Sequence, residues 1–399
     1  MKRVTVTARA LNLLLTPSTG GRKRPAEAWD KVVSDVVASG LSLDGEETFA
    51  KDFGFLLECL ADEPGLLPLG WTSAVADSKS RLENRLKTKA LIAEHPAVLE
   101  ERIERPVFVV GMPRTATTLA HKVLAASDDH RGPRMWEMLH TDLETDPAVI
   151  GKRISDLDKG IQFMMRVAPS WKVIHPSSVD SPEESMMVMP HGFYHLFLRG
   201  PMPAYREWLK QRDVRPDYGY LKQVLQILQH GREPKRWILK YPGHLSDLEI
   251  IREIFPDATF VWTHRDPVTV IGSLCSLMET SWSTYLKHPD LHEIGRLAVE
   301  LMSESVQKGR DSRVALPAES IVDVPYHQLN SDPQRLVPKI YDALGARWTE
   351  KDAGNLESVL ARPATDRKHE YGVARYGLEL GGVEAAFGDY TRLVAKLNG

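Results

Sequence analysis

The sequence is poor in cysteine and in long apolar runs, and each scarcity excludes a class of protein. Its 399 residues contain two cysteines, Cys59 and Cys275, and neither has a second Cys or a paired His at metal-ligand spacing. We predict two free core thiols without a redox or metal role. No stretch approaches the roughly 18 apolar residues of a membrane-spanning helix, and residues 1–15 lack the apolar segment of a signal peptide. A soluble cytoplasmic protein without a transmembrane segment is expected.

The charge is nearly balanced, which excludes binding through a general basic surface. Lys and Arg number 51 and Asp and Glu number 54, so the formal net charge is −3. A protein that binds nucleic acid without specificity needs a basic excess, and we predict no nucleic-acid partner. An anionic ligand must therefore be bound by locally concentrated Lys, Arg and backbone amides.

Short apolar runs alternate with helical patterns through most of the chain. Four runs read as strands that are buried on both faces: Val107 to Val110, Arg236 to Lys240, Ala258 to Thr263 and Ser320 to Val324. Strands that alternate with helices indicate βαβ units. We predict an α/β fold with a P-loop-like, mostly parallel central sheet flanked by helices. It occupies residues 106–399, includes a helical acceptor or lid region at about 130–235, and follows a mainly helical section, 1–105, packed on the core.

The segment Gly111 to Thr118 lies between the first predicted strand and a helical pattern, and it reads Gly-Met-Pro-Arg-Thr-Ala-Thr-Thr. A strand, a tight loop and a helix N-terminus together aim backbone N–H groups and a positive dipole end at a phosphate. In the triphosphatase loop GxxxxGK[ST], a lysine stands where this chain has Thr117. Its absence disfavours a kinase, whereas Arg114 suits a phosphate joined to a sulfuryl group. A Thr-capped helix with Arg114 in solvent remains an alternative, as do a phosphotransferase and a nucleotide-binding protein without turnover.

Two later motifs also follow predicted strands. Arg265 ends one strand and Ser273 lies eight residues further on, so the two side chains can converge on one anion at the sheet edge. His244 follows the strand that ends at Lys240, and histidine suits general-base chemistry near neutral pH. Taken alone, these patterns leave open a structural arginine and a helix-capping histidine.

Together the three motifs resemble those of the 3′-phosphoadenosine 5′-phosphosulfate (PAPS)-dependent sulfotransferases, above all a bacterial branch whose loop reads like GMPRTGTT. The resemblance spans roughly residues 100–390. It implies PAPS as the co-substrate and assigns five loop residues to the 5′-phosphosulfate: Arg114, Thr115, Ala116, Thr117 and Thr118. It further implies that Arg265 and Ser273 bind the 3′-phosphate and that Tyr326 contacts adenine. A late basic segment with Arg367 and Lys368 is expected to close over the 3′-phosphate.

The resemblance also implies direct in-line transfer with no metal requirement. His244 is the expected general base, and Lys240 and Arg114 are the expected cations near the transferring group. Glu137 is a rival base, because some sulfotransferases use a carboxylate soon after the first loop. One loop residue departs from the family pattern: Ala116 replaces a glycine. If the position needs a positive φ, alanine costs about 1 kcal/mol there, so either the backbone angle is permissive or the loop is shifted.

Only one segment of the sequence bears on the chemical class of the acceptor. Ser185 to Leu198 is rich in Met and aromatic residues. It suits either an adaptable lid over an apolar acceptor pocket or an ordinary core helix, and the sequence leaves both open. The lid interpretation predicts a hydrophobic small-molecule or lipid acceptor. The sequence is also compatible with a homo-oligomer.

Overall fold

A computed structural model describes residues 4–171, 178–361 and 372–398. Within these ranges, five strands form one parallel sheet in the order β2-β3-β1-β4-β5. The strands are β1 (Val107–Val110), β2 (His130–Arg131), β3 (Arg236–Lys240), β4 (Thr259–His264) and β5 (Ile321–Pro325). The predicted α/β fold with a parallel central sheet is confirmed.

Helices precede the sheet and surround it. Before β1 come α1 (Val6–Leu15), α2 (Pro25–Ala38), α3 (Glu47–Ala61) and α4 (Pro68–Glu94). Between β1 and β3 lie α5 (Thr117–Ala125), α6 (Met135–Leu139), α7 (Pro147–Val167), α8 (Tyr194–Arg199), α9 (Pro203–Gln211) and α10 (Arg215–Gln229). After β3 follow α11 (Leu248–Ile254), α12 (Pro267–Tyr285), α13 (Leu291–Ala315), α14 (Tyr326–Ser331), α15 (Pro333–Ala343), α16 (Glu350–Leu360), α17 (Leu380–Phe387) and α18 (Asp389–Asn398). Short 3₁₀ turns connect several of them, at Thr16–Lys23, Pro96–Glu100, Ser185–Met187, Pro242–Ser246, Ala318–Ser320 and Val373–Tyr376.

The apolar strand β1 lies at the centre of the sheet and is covered on both faces. All four of its side chains are 0% exposed. Phe108 and Val110 belong to the larger core, which also holds residues of α2, α3 and α4. Val107 and Val109 belong to the second core, with residues of α5, α15 and α16. A strand buried on both faces has no polar positions, and this explains the continuous apolar run in the sequence.

The carboxyl ends of the central strands meet at one edge of the sheet. Val109 pairs in register with Lys240 of β3, and Val110 pairs with Trp262 of β4. The loop after β1 is therefore flanked by the ends of both neighbouring strands. In open α/β sheets this is the edge where ligands bind.

The Met-rich segment Ser185 to Leu198 is mostly core. Its apolar side chains Val188, Met189, Leu196 and Phe197 are buried in the larger core. Met186, Met187 and Phe193 are only partly buried against that core. Leu198 is also partly buried. The segment is thus anchored by its buried residues, while four apolar side chains keep a partly exposed face.

Both cysteines are free and buried, as predicted. Burial raises the pKa of the Cys59 thiol to about 11 and that of Cys275 to about 12, so neither is a thiolate at neutral pH. Across the parts of the chain that the structure describes, none of the helices combines the length and the apolar character that crossing a membrane requires.

Candidate active site

The loop between β1 and α5 has the shape of an anion cradle. Gly111 has φ +133°, and a Cβ there would lie 2.6 Å from the carbonyl oxygen of Thr263, so this position requires glycine. Arg114 and Ala116 are also left-handed, with φ +70° and +67°. Such turns direct backbone N–H groups into a concave anion site.

The helix after the loop begins without a side-chain cap. Ala116 is the N-cap residue of α5 and offers no hydrogen bond to the first turn. The first N–H groups of a helix have no partner within the helix, so here they are free to meet an anion. The alternative of a Thr-capped helix is therefore wrong, because the capping position is an alanine. The positive φ at Ala116 also resolves the question raised by the missing glycine, since the loop keeps its left-handed turn with alanine in place.

Thr115 ties the loop to the neighbouring strand. Its buried hydroxyl donates to the carbonyl of Met112 at 2.7 Å and lies 2.6 Å from the hydroxyl of Thr263 on β4. The side chain therefore holds the loop in shape, and the backbone amide of Thr115 is the group that can face a phosphate.

Four site residues that the sequence places in three separate segments form one cluster. The Arg114 Nε donates to Ser273 Oγ at 2.9 Å. The Arg265 guanidinium donates to the carbonyl oxygen of Arg114 at 2.8 Å, and its central carbon lies 4.0 Å from the centre of the Tyr326 ring. Arg265 follows the end of β4, while Tyr326 begins α14 directly after β5. Two guanidinium groups, a hydroxyl and an aromatic ring thus adjoin the loop.

The position of Ser273 follows from how α12 begins. Asp266 is the N-cap and accepts a hydrogen bond from the backbone N–H of Thr269 at 2.8 Å. Pro267 occupies the first turn, where its missing N–H costs nothing. The helix therefore starts directly after Arg265, and its second turn presents Ser273 to Arg114.

On the other side of the loop, Lys240 is 1% exposed and forms an ion pair with Glu184. Its ammonium also lies 3.4 Å from the hydroxyl of Thr118 on α5. A buried ammonium requires such partners, because an unpaired buried charge is very costly. Sequence reasoning did not select Glu184 as a site residue. It lies 56 residues from Lys240 in a segment with no strand or helix period, so no local pattern pointed to it.

His244 lies in the 3₁₀ turn after β3 and is 0% exposed. Its Nδ1 is 2.9 Å from the hydroxyl of Tyr218, and its buried Nε2 has no hydrogen-bond partner among the described residues. Burial lowers the pKa of His244 to about 3. The imidazole is therefore neutral at pH 7, the form in which histidine accepts a proton.

The rival base Glu137 has a structural position. It is the third residue of α6, where one carboxylate oxygen accepts the backbone N–H of Arg134 at 2.9 Å and completes a capping box. The other oxygen pairs with Arg131 at 2.5 Å. Both oxygens thus serve the helix start and an ion pair. Arg367 and Lys368, expected over the 3′-phosphate, lie outside the described residues.

Known proteins share this sequence pattern and fold. A family model described as "Sulfotransferase family" matches residues 106–350. The omega-hydroxy-beta-dihydromenaquinone-9 sulfotransferase Stf3 of Mycobacterium bovis is 26% identical over 278 residues, which cover 67% of this chain and 69% of that protein. The crystal structure of sulfotransferase STF9 from Mycobacterium avium superposes with a TM-score of 0.81 at 28% identity, covering 91% of this chain and 96% of that one. The crystal structure of sulfotransferase STF1 from Mycobacterium tuberculosis H37Rv superposes with a TM-score of 0.79 at 26% identity, covering 90% of this chain and 98% of that one. The chain belongs to the sulfotransferase family.

Proposed function

We propose that this sulfotransferase moves a sulfuryl group from PAPS, the donor that the family implies, to a hydroxyl of a hydrophobic acceptor. The observation that carries the proposal is the convergence of Arg114, Ser273 and Arg265 beside the uncapped start of α5. A donor with phosphates at both its 3′ and 5′ positions needs two anion sites close together. The loop with the helix start is one such site, and the arginine and serine cluster is the other.

Each anion site would take one end of the donor. The backbone amides of the loop and the first turn of α5, together with the hydroxyls of Thr117 and Thr118, bind the 5′-phosphosulfate. Arg265 and Ser273 bind the 3′-phosphate, and Tyr326 lies against the adenine. The fit is supported by Gly111, where a Cβ would collide with Thr263 and deform the cradle. We also propose that Arg367 and Lys368 bind the 3′-phosphate.

The bound donor supplies an activated sulfuryl group, and the chain supplies the charges and the base. Lys240 and Arg114 stabilise the negative charge that develops on the bridging oxygen. Arg114 acts only electrostatically, because a guanidinium does not release its proton. Lys240 must exchange part of its ion pair with Glu184 for contact with the donor. His244 Nε2 accepts the proton of the acceptor hydroxyl.

Access to His244 requires motion of the structure. The imidazole is 0% exposed, so an acceptor reaches Nε2 only when neighbouring side chains open. Partly exposed Met186, Met187 and Phe193 lie in the segment directly after Glu184, which contacts Lys240. Flexible Met side chains suit an apolar acceptor of adaptable shape. The name of the M. bovis relative gives a hydroxylated dihydromenaquinone as its acceptor, and this supports a hydrophobic acceptor here.

The proposal is tested by transfer of ³⁵S-labelled sulfate from PAPS to a panel of acceptors, with and without EDTA. The panel contains a hydroxylated dihydromenaquinone, a sterol, a phenol and a polyanionic sugar. We expect label on an apolar hydroxylated acceptor and no effect of EDTA. Failure to bind 3′-phosphoadenosine 5′-phosphate would refute the proposal, and Mg²⁺-dependent consumption of ATP would instead indicate a phosphotransferase.

The base is tested with two matched variants. His244→Ala should lower kcat by about 10²- to 10⁴-fold, the usual contribution of general-base catalysis. Glu137→Gln preserves the size of a side chain whose oxygens serve the α6 cap and Arg131, and we expect a much smaller loss. The opposite ranking would identify Glu137 as the base.

A further inference from the structure

Three polar groups form a hydrogen-bonded chain that begins at His244 Nδ1 and ends at a carboxylate. The hydroxyl of Tyr218, on α10, lies 2.9 Å from His244 Nδ1 and donates to Asp247 Oδ2 at 3.0 Å. Asp247 is the residue before α11, and His244 lies in the 3₁₀ turn before it. Asp247 makes no side-chain hydrogen bond to cap α11, so its carboxylate is not needed to start that helix.

Counting protons along this chain fixes the state of the imidazole. A tyrosine hydroxyl has one proton, and a carboxylate can only accept. When Tyr218 donates to Asp247, its oxygen must accept from Nδ1, so Nδ1 carries the proton of the neutral imidazole. Nε2 then presents an unshared electron pair. This is the nitrogen that is buried without a partner among the residues described.

We infer that Tyr218 and Asp247 are positioning residues that hold His244 in its Nδ1–H tautomer and leave Nε2 as the proton acceptor. The inference rests on the proposed function, since it assigns the atom through which His244 acts as the base. A histidine base that receives a hydrogen bond on the wrong nitrogen cannot take the acceptor proton, so tautomer control decides activity.

Packing around the ring fixes its orientation. The ring of Phe108 meets the imidazole edge to face at 5.1 Å between centroids, and Tyr241 does the same at 5.3 Å. Gly243 permits this arrangement, because a Cβ there would lie 2.2 Å from the Tyr241 ring. The Tyr218 ring is a third aromatic neighbour, at 5.5 Å between centroids. With three aromatic rings packed against it, the imidazole cannot exchange Nδ1 for Nε2 by rotation without displacing neighbours.

Protonation of Asp247 would reverse the chain. A neutral carboxyl donates to Tyr218, Tyr218 then donates to Nδ1, and the imidazole proton moves to Nε2, where it blocks the base. Burial raises the pKa of Asp247 to about 7; the hydrogen bond from Tyr218 and the charge of Lys308 oppose this shift, and Asp217 adds to it. Two ionisable side chains, Tyr218 and Tyr241, pack on His244, and burial raises the pKa of both well above the usual range of tyrosine. Around pH 7, Asp247 is therefore the group of this cluster that titrates.

The sign of the pH dependence follows from this arrangement. The active chain requires the Asp247 carboxylate, so kcat should rise with pH through about 7 and level off above it. His244 itself has its pKa lowered to about 3 by burial and contributes no step in that window. The rise of kcat therefore reports the ionisation of Asp247. If Asp247 positions His244, replacing its carboxylate should remove that rise from the pH profile.

The test combines the tautomer with the pH profile in four variants of the protein. Spectra of ¹⁵N-histidine-labelled enzyme, with the His244 signals assigned by difference from His244→Gln, report which nitrogen is protonated. We expect Nδ1–H in the wild type at pH 8 and a gain of Nε2–H in Tyr218→Phe, with kcat at least about 10-fold lower and KM little changed. Asp247→Asn should abolish the rise of kcat near pH 7.

The matched control is Tyr376→Phe, which removes a buried tyrosine hydroxyl bonded to Glu279. It should leave the tautomer of His244 and the pH profile unchanged.

The outcomes separate this inference from the proposed function. An Nε2–H tautomer in the wild type at pH 8, or a wild-type profile in Asp247→Asn, would overturn the positioning role. Absence of transfer by the wild type would contradict the proposed function, whereas the tautomer of His244 would still be decided by the spectra. If Tyr218→Phe does not fold, Asp247→Asn supplies both readouts.

Discussion

Ala116 is the residue at which the loop departs from the family pattern, and replacing it with glycine should stabilise the protein. Its φ of +67° and ψ of +21° lie in the left-handed region, where Cβ crowds the backbone. This conformation costs a residue other than glycine about 1–2 kcal/mol. Glycine avoids that cost, but its greater conformational entropy stabilises the unfolded chain by about 0.4–1 kcal/mol. The two effects leave Ala116→Gly more stable by about 0.5–1 kcal/mol.

Urea denaturation, followed by tryptophan fluorescence, measures this difference directly. The matched control is Ala90→Gly, at an exposed position within the right-handed helix α4. There glycine should cost about 1 kcal/mol, so the same substitution should move the two midpoints in opposite directions. Destabilisation of Ala116→Gly by as much as Ala90→Gly would mean that residue 116 is right-handed, and the account of the loop would be refuted.

Two further predictions concern carboxylates near the site. Glu184→Gln removes the anion that neutralises Lys240, so the dissociation constant for 3′-phosphoadenosine 5′-phosphate, measured by calorimetry, should fall by about 3- to 10-fold at low salt; an unchanged or higher constant would show that Lys240 does not face the nucleotide. Asp247 has its pKa raised to about 7 by burial, so its contribution to stability is full below about pH 4 and is lost as pH rises through 7. Asp247→Asn should therefore gain stability over the wild type across that window, by roughly 1–3 kcal/mol after allowance for the partial exposure of the residue. A difference in urea midpoint between variant and wild type that is the same at pH 5 and at pH 8 would contradict this.

The sequence predicted the sheet and one side of the site because both depend on repeated or local patterns. β1 reads as a strand because all its side chains are buried, so the apolar run is unbroken. The sequence places Arg265 and Ser273 at the ligand-binding edge of the sheet because the carboxyl ends of parallel strands form that edge. β2 escaped notice because it has two residues, His130 and Arg131, and no period can be read from two positions.

The rest of the site depends on contacts between distant segments. Tyr218 reads as part of the apolar face of a helix, and only the tertiary fold brings its hydroxyl to His244. Glu184 meets Lys240 for the same reason. Its place after the loop makes Glu137 a rival base, yet a Glu at the third position of a helix is also typical of a capping box. Local sequence does not distinguish these two roles, because both call for a carboxylate.

The central claim is that the loop, together with Arg265 and Ser273, forms one site for a nucleotide with phosphates at its 3′ and 5′ positions. Calorimetric titration with 3′-phosphoadenosine 5′-phosphate and with adenosine 5′-phosphate, in the wild type and in Arg265→Met, tests it most directly. We predict that the 3′-phosphate improves binding to the wild type by at least about 100-fold, the equivalent of about 2.7 kcal/mol, and that Arg265→Met loses most of this preference while binding adenosine 5′-phosphate as before. Equal affinity of the wild type for the two nucleotides would contradict the account.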